Sequence, residues 1–355
     1  MSSPLPAGPS RSHSAGIVVL ATIGVGCALY LAREFFVPVA LSVLFTGLLR
    51  PPVRRLEAVH LSAPAAATVV LVVLVGALIG GGLGLASPVR GWIRDAPVTL
   101  AAATKRLERL RRPMSRISAA AERVERATGD GAAGARVPPP AATASNLAGK
   151  LLGGSSHALA GAVEVVLLTF LMLASGDKFL RKLMKVLRFR EERRAAVEIA
   201  SETERVVSRY MTATAFINAG QGLLVGLAVW LLHLPNPLLW GVLTFFLEFV
   251  PYLGAAGMII LLTIAGLATF DSVGRAALPP AVYLVITTLQ NNLVSPVAYG
   301  HRLRLNPVAV LLGVLLWWLL WGIPGAFLAV PILATVRVLS EHVPTLAPEG
   351  EFLGD

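Results

Sequence analysis

Within long apolar runs of this chain, only a few side chains could do chemistry. Glu164 and Glu248 are acids set among aliphatic and aromatic neighbours. Gln290, Asn291 and Asn292 are three consecutive amides, and Asn218 and Gln221 stand one helical turn apart. An ionisable group at bilayer depth costs at least ~2.5 kcal/mol, so it is a functional candidate by default. Its bland alternative is a carboxyl kept neutral, or bonded to a neighbouring helix. The amide triplet could line a solute path or cap a broken helix, because three successive amides cannot all face lipid. Asn218 and Gln221 fit interhelical hydrogen bonding better than ligand binding. Glu248 lies three residues before Pro251, where unpaired carbonyls of a helix end and a carboxylate would make an oxygen-rich site for a cation or proton.

The elements that must position these groups follow from composition. The chain has 355 residues, 55% hydrophobic and 14% charged, against about 25% charged in ordinary soluble domains. Repeated apolar runs approach the ~20 residues a crossing helix needs, so the sequence predicts an all-α, multi-pass helical membrane protein with about eight spans. One cysteine, Cys27, excludes an internal disulfide framework and a cysteine-based metal site. No HExxH, GxSxG, P-loop or dinucleotide fingerprint is present. We therefore expect no enzyme activity, no cofactor and no metal, and any active transport to be driven by a gradient rather than by ATP.

In chain order we expect a polar tail at 1–15, three spans within 16–87, and a polar helical insertion with a flexible linker at 88–150. A fourth span follows at 151–176, then a charged amphipathic helix pair at 177–209, a membrane transport core at 210–340 and a tail at 341–355. The first two spans, near 16–32 and 35–50, meet at an Arg33-Glu34 corner. Gly76, Gly80 and Gly84 make a glycine face on the third. In the insertion, Leu100, Ala103, Leu107, Leu110, Met114, Ile117, Ala121 and Val124 form a heptad seam that could self-associate or dock on its own chain. In the core, Pro251, Gly254, Pro296, Pro307, Pro324, Gly325 and Pro331 predict broken or re-entrant helices, which are tolerated only where protein or a wet cavity satisfies the backbone. Trp317, Trp318 and Trp321 suit an interfacial belt or a half-helix near the membrane boundary, and His301, Arg302 and Arg304 an interfacial anchor or, less favoured, a substrate gate.

The net charge of +11 could point to nucleic acid, but beside membrane spans and without a nucleic-acid motif it points to anionic headgroups and orientation. Residues 87–150 carry 12 basic and 5 acidic side chains, and 176–209 carry 10 and 6, which together account for the whole excess. Placing the other basic corners in the cytoplasm puts both termini inside and the insertion outside, as a long loop allows. The expected partners are the lipid bilayer, a small polar solute or cation, and a second copy of the chain; no nucleic acid is expected.

Several phrases occur in a fixed order: Asn218-Ala-Gly, Pro235-Asn-Pro-Leu-Leu-Trp-Gly, Phe249-Val-Pro-Tyr-Leu-Gly254, Asn292-Leu-Val-Ser-Pro296, Leu305-Asn-Pro307 and Trp321-Gly-Ile-Pro-Gly followed by Ala-Val-Pro331. Together they resemble the autoinducer-2 exporter (AI-2E) family of bacterial permeases across nearly the whole chain. The resemblance implies a transporter of the bacterial inner membrane. Members of that family are linked to export of autoinducer-2, and others to sodium(lithium)/proton antiport. Three positions depart from the pattern: Ala255-Ala256 follows the turn where a proline is common, Gln290 replaces a frequent acid, and Glu248 replaces a neutral polar residue. Outside the resemblance, a non-transporting membrane scaffold with a partner-binding insertion stays open.

The topology has a direct test. A cysteine at Thr128, in a Cys27→Ala background, is expected to react with an impermeant thiol reagent on intact spheroplasts. Labelling only after lysis inverts the topology.

Overall fold

A computed structural model describes residues 11–88, 90, 91, 94, 155–176, 190–299 and 305–342. Among these residues every regular element is helical. In chain order they are α1 (Arg11–Leu31), α2 (Arg33–Glu57), α3 (Ala63–Pro88), α4 (Ser155–Ser175), α5 (Arg190–Leu231), α6 (Pro237–Leu247), α7 (Leu253–Thr269), α8 (Val273–Leu289), α9 (Ser295–Tyr299) and α10 (Pro307–His342). Helices Arg33–Glu57, Ala63–Pro88, Ala196–Leu231 and Pro307–His342 are long and apolar enough to cross a membrane. The heptad seam and the anchor at His301, Arg302 and Arg304 lie outside the described residues.

The described helices fall into two groups. The first holds α1, α2, the start of α3, most of α4, α5 up to Met211, and α10. The Arg33-Glu34 corner expected between two spans is a bend in a nearly continuous helix. Ala32 donates to Ala28 O (2.9 Å) and Phe36 to Ala32 O (3.0 Å), which carries the ladder through the junction. The last carbonyls of a helix lack partners within it. That of Leu29 accepts from Trp321 Nε1 at 3.0 Å. Trp321, expected in an interfacial belt, is therefore buried at 8% exposure. Helix α2 also runs past Pro51 and Pro52 to Glu57, beyond the expected end near 50. Proline's fixed φ suits a helix, and each ring removes a single N–H donor. The extension carries Arg50 to within 2.9 Å of Glu204 on α5, with Arg54 at 3.9 Å from the same oxygen.

Helix α10 is a hairpin in all but name. Gly322 adopts φ 66° and ψ −142°, so 307–321 and 323–342 are separate limbs. A Cβ on Gly325 would strike Trp317 O, and one on Gly313 would lie 2.6 Å from Leu333 Cδ1. The limbs therefore lie side by side around two glycines.

The second group holds the rest of α3, α5 from Thr212, and α6 to α9. Its core is Val225, Val229, Leu234, Trp240, Met258, Leu262, Ala265 and Tyr283, all below 5% exposure. A glycine face other than the expected one packs in this group. Gly76, Gly80 and Gly84 have no described atom within 4 Å of a built Cβ. Gly222 and Gly226 on α5 instead meet Gly241 on α6, where a Cβ on Gly241 would sit 2.7 Å from Gly222 O. Small residues four apart allow such backbone contact. The expected boundary at 209/210 is also absent as a break, since α5 is one helix of 42 residues.

Helix α6 has 11 residues, or about 16 Å at ~1.5 Å per residue, which is short of the ~30 Å hydrocarbon layer. It turns back at Phe249–Tyr252 into α7, and a Cβ on Gly254 would strike Leu247 O. Each group thus contains a helical hairpin, at Gly322 in the first and at Phe249-Val-Pro-Tyr in the second, as the Pro/Gly punctuation predicts.

Gly322→Ala tests the second turn without adding a clash, because nothing described lies within 4 Å of its built Cβ. Its backbone region is essentially restricted to glycine and costs other residues ~1–3 kcal/mol. A thermal midpoint lowered by several degrees in detergent is the expected result.

Candidate functional site: a carboxylate at a helix break

Glu248 is the C-cap of α6, with φ −66° and ψ −10°, and its N–H bonds back to Thr244 O at 3.1 Å. The helix stops there because Pro251, three residues on, has no N–H to continue the ladder and disfavours helical backbone at Val250. Tyr252 then takes a positive φ of 63°, and Gly254 opens α7 against the end of α6. The carboxylate is thus presented at the turn of the first hairpin.

Two other helices meet it. From α5, Gln221 Nε2 donates to Glu248 Oε1 at 3.0 Å and to Thr287 Oγ1 at 2.7 Å. From α8, the Tyr283 hydroxyl donates to the same Oε1. Gln221 is 2% exposed, Tyr283 1% and Thr287 6%. Among the described residues no basic side chain pairs with Glu248; its partners are a neutral amide and a phenol. One oxygen thus receives two donors, which bond an ionised carboxylate more strongly than a neutral acceptor. The far end of the amide, Gln221 Oε1, is buried with no partner.

One turn earlier on α5, Asn218 binds the break itself. With its amide oriented to satisfy both ends, Nδ2 donates to Thr214 O (3.2 Å) and Oδ1 accepts the Phe249 N–H (3.3 Å). A turn further on, Thr214 Oγ1 and Tyr299 Oη lie 3.0 Å apart. Thr214, Asn218 and Gln221 therefore form a polar stripe on the apolar half of α5, and each side chain is buried.

The other sequence candidates lie elsewhere. Gln290 belongs to a π-helical turn, Gln290–Val294, where the Ser295 N–H bonds to Gln290 O. Such a widened turn moves the carbonyl that the ring of Pro296 would otherwise meet. The Gln290 side chain donates to Ser295 Oγ at 2.7 Å, and Asn292 donates to Thr288 O at 2.8 Å. Asn291 and Asn292 are exposed, and the bonds that Gln290 and Asn292 make stay within their own stretch of chain. Glu164 is exposed on α4. Pro307 starts α10, and Pro324, Gly325 and Pro331 lie in its second limb. Among the described residues, no three His, Cys, Asp or Glu side chains group as metal ligands.

Sequence reasoning overlooked Tyr283 and Thr287. Their signal was present: polar-tipped residues four apart share one helix face, here the face turned to the core.

Comparison with known proteins places the sequence in a family. The model of the AI-2E family transporter matches residues 18–345. The AI-2 transport protein TqsA of Escherichia coli K12 is 27% identical over 199 residues, 56% of this chain and 57% of its own length. The E. coli K12 protein named "Putative transport protein YhhT" is 31% identical over 135 residues, 38% of each chain. The chain thus aligns with between 38% and 57% of the length of these relatives. With the family model covering nearly all of it, the chain belongs to the AI-2E family of membrane transporters.

Proposed function

We propose that this chain is a secondary transporter that moves a small polar solute, with the movement coupled to a proton or monovalent cation at Glu248. The observation that carries the reading is a half-buried carboxylate at the turn of a broken helix, gripped by side chains from two other helices. Charge burial is costly, and such acids in membrane helices mark ion and proton paths. Interrupted helices near a binding site are also the usual construction of secondary transporters. The absence of a phosphate-binding loop from the sequence favours a gradient over ATP as the energy source.

One relative bears the name AI-2 transport protein, which makes autoinducer-2 the first solute to test here, with outward movement the direction to test. In this reading the chain lies in the bacterial inner membrane with both termini in the cytoplasm and residues 88–150 outside. Gln221, Asn218, Tyr283 and Thr287 hold the acid and the break, while Asn291 and Asn292 offer exposed amides to the solute.

The test is transport by the purified chain in liposomes under imposed proton and sodium gradients. Glu248→Gln keeps the shape and an acceptor for Tyr283 but cannot change charge; it is expected to assemble normally and lose the gradient dependence. Glu248→Asp is expected to keep part of it. A Gln variant whose transport keeps the pH and sodium dependence of the unaltered chain removes Glu248 as the coupling acid.

A further inference from the structure

We infer that Gln221 reads the protonation state of Glu248 and passes it to the contact between α5 and the α6–α7 break. The inference rests on Glu248 being the coupling acid, and concerns the residue through which that acid acts.

The starting point is an asymmetry within one side chain. Gln221 Nε2 serves two acceptors, Glu248 Oε1 at 3.0 Å and Thr287 Oγ1 at 2.7 Å. Its Oε1 serves none, in a residue only 2% exposed. Buried polar atoms are nearly always paired, so an orphan needs an explanation. Turning the amide over would let its oxygen accept from the Thr287 hydroxyl but would set it against the Glu248 carboxylate oxygen, two acceptors face to face.

Protonation supplies what the orphan lacks. An ionised carboxylate has acceptors only, whereas a carboxylic acid has one O–H donor as well. With a proton on its second oxygen, Glu248 becomes a donor beside the Gln221 amide. Carboxyl and amide can then pair through two bonds, N–H to Oε1 and O–H to the Gln221 oxygen. The proton stays on Glu248, and no covalent bond in the pair breaks.

Gln221 is held where it can do this. Its neighbour Gly222 packs directly on Gly241 of α6, with a built Cβ only 2.5 Å from Gly241 O. Asn218, one turn away, is bonded to the Phe249 N–H of the break. With the backbone clamped on both sides, Gln221 cannot withdraw its orphan oxygen by a small helix shift. Loss of the proton thus leaves the Gln221 oxygen without a protein partner at the contact between α5 and the hairpin, which weakens that contact. The titratable groups facing Glu248 are Tyr283 on α8 and, at longer range, Tyr299 on α9. A phenol donating to Oε1 is present in either state, and the Thr287 hydroxyl faces the same carboxyl, so the Gln221 oxygen is the atom that gains a partner on protonation.

The test uses the full chain in lipid nanodiscs, read by infrared difference spectra across a pH titration, together with the pH profile of gradient-driven transport in liposomes. A protonated carboxyl C=O band that vanishes in Glu248→Gln is assigned to this residue. In Gln221→Leu that band is expected at higher frequency, having lost its acceptor, and the transport midpoint is expected about one unit lower in pH, a tenfold change in proton concentration. Gln221→Met is the alternative if the Leu variant fails to assemble. If Gln221 is only a donor to the ionised carboxylate, its loss moves the midpoint to higher pH. That result, an unmoved band, an unmoved midpoint, or no carboxyl band at any pH, overturns the inference. If Glu248→Gln transports with unchanged gradient dependence, the coupling role itself falls, whereas the position of the band still decides whether the amide and carboxyl pair.

Discussion

The constraint on which the rest of the second helical group depends is the treatment of backbone at the α6–α7 break. A peptide group in hydrocarbon has no water to turn to, so each interrupted turn must be completed by protein. Here α5 does so. Asn218 bonds the Phe249 N–H, Gln221 holds the carboxylate at the end of α6, and Gly222 brings the two backbones together. Without the glycines the helices could not approach closely enough for those amides to reach. The polar contacts and the small residues are one device.

The same logic appears at the other hairpin with different materials. There Gly322 alone adopts the backbone that turns the chain, and Gly313 and Gly325 make room for the facing limb. The Trp321 indole, turned inward, completes the Leu29 carbonyl at the bend between α1 and α2. A ring expected at a lipid headgroup boundary instead serves a backbone carbonyl, because a buried indole N–H needs an acceptor.

Much of this was legible in the residues. Apolar composition and run length were enough for an all-helical membrane protein, and the Pro/Gly phrases located both hairpin turns. Glu248 stood out as an acid beside a proline, and Asn218 and Gln221 as amides that bond between helices. What was not legible depended on the third dimension. Whether Gly76, Gly80 and Gly84 or Gly222, Gly226 and Gly241 meet a neighbour is decided by which helices touch. A glycine repeat within one helix does not carry that information. Tyr283 and Thr287 looked like ordinary members of an apolar run until α8 was seen to face α5. The amide triplet was conspicuous because its members are adjacent, yet adjacency on a helix spreads side chains around it, and two of the three point outward.

The continuity of α5 turns its sequence into a depth gauge. Its charged portion ends at Arg209 and its apolar portion begins at Tyr210, with no joint between them to absorb a change of height. Counted along the helix at ~1.5 Å per residue, Asn218 and Gln221 lie roughly 13 and 18 Å beyond that boundary. Half the thickness of a ~30 Å hydrocarbon layer falls between those two values. With Arg209 seated among headgroups and the helix upright, the amides that hold the broken hairpin stand at the midplane, equally remote from both aqueous faces.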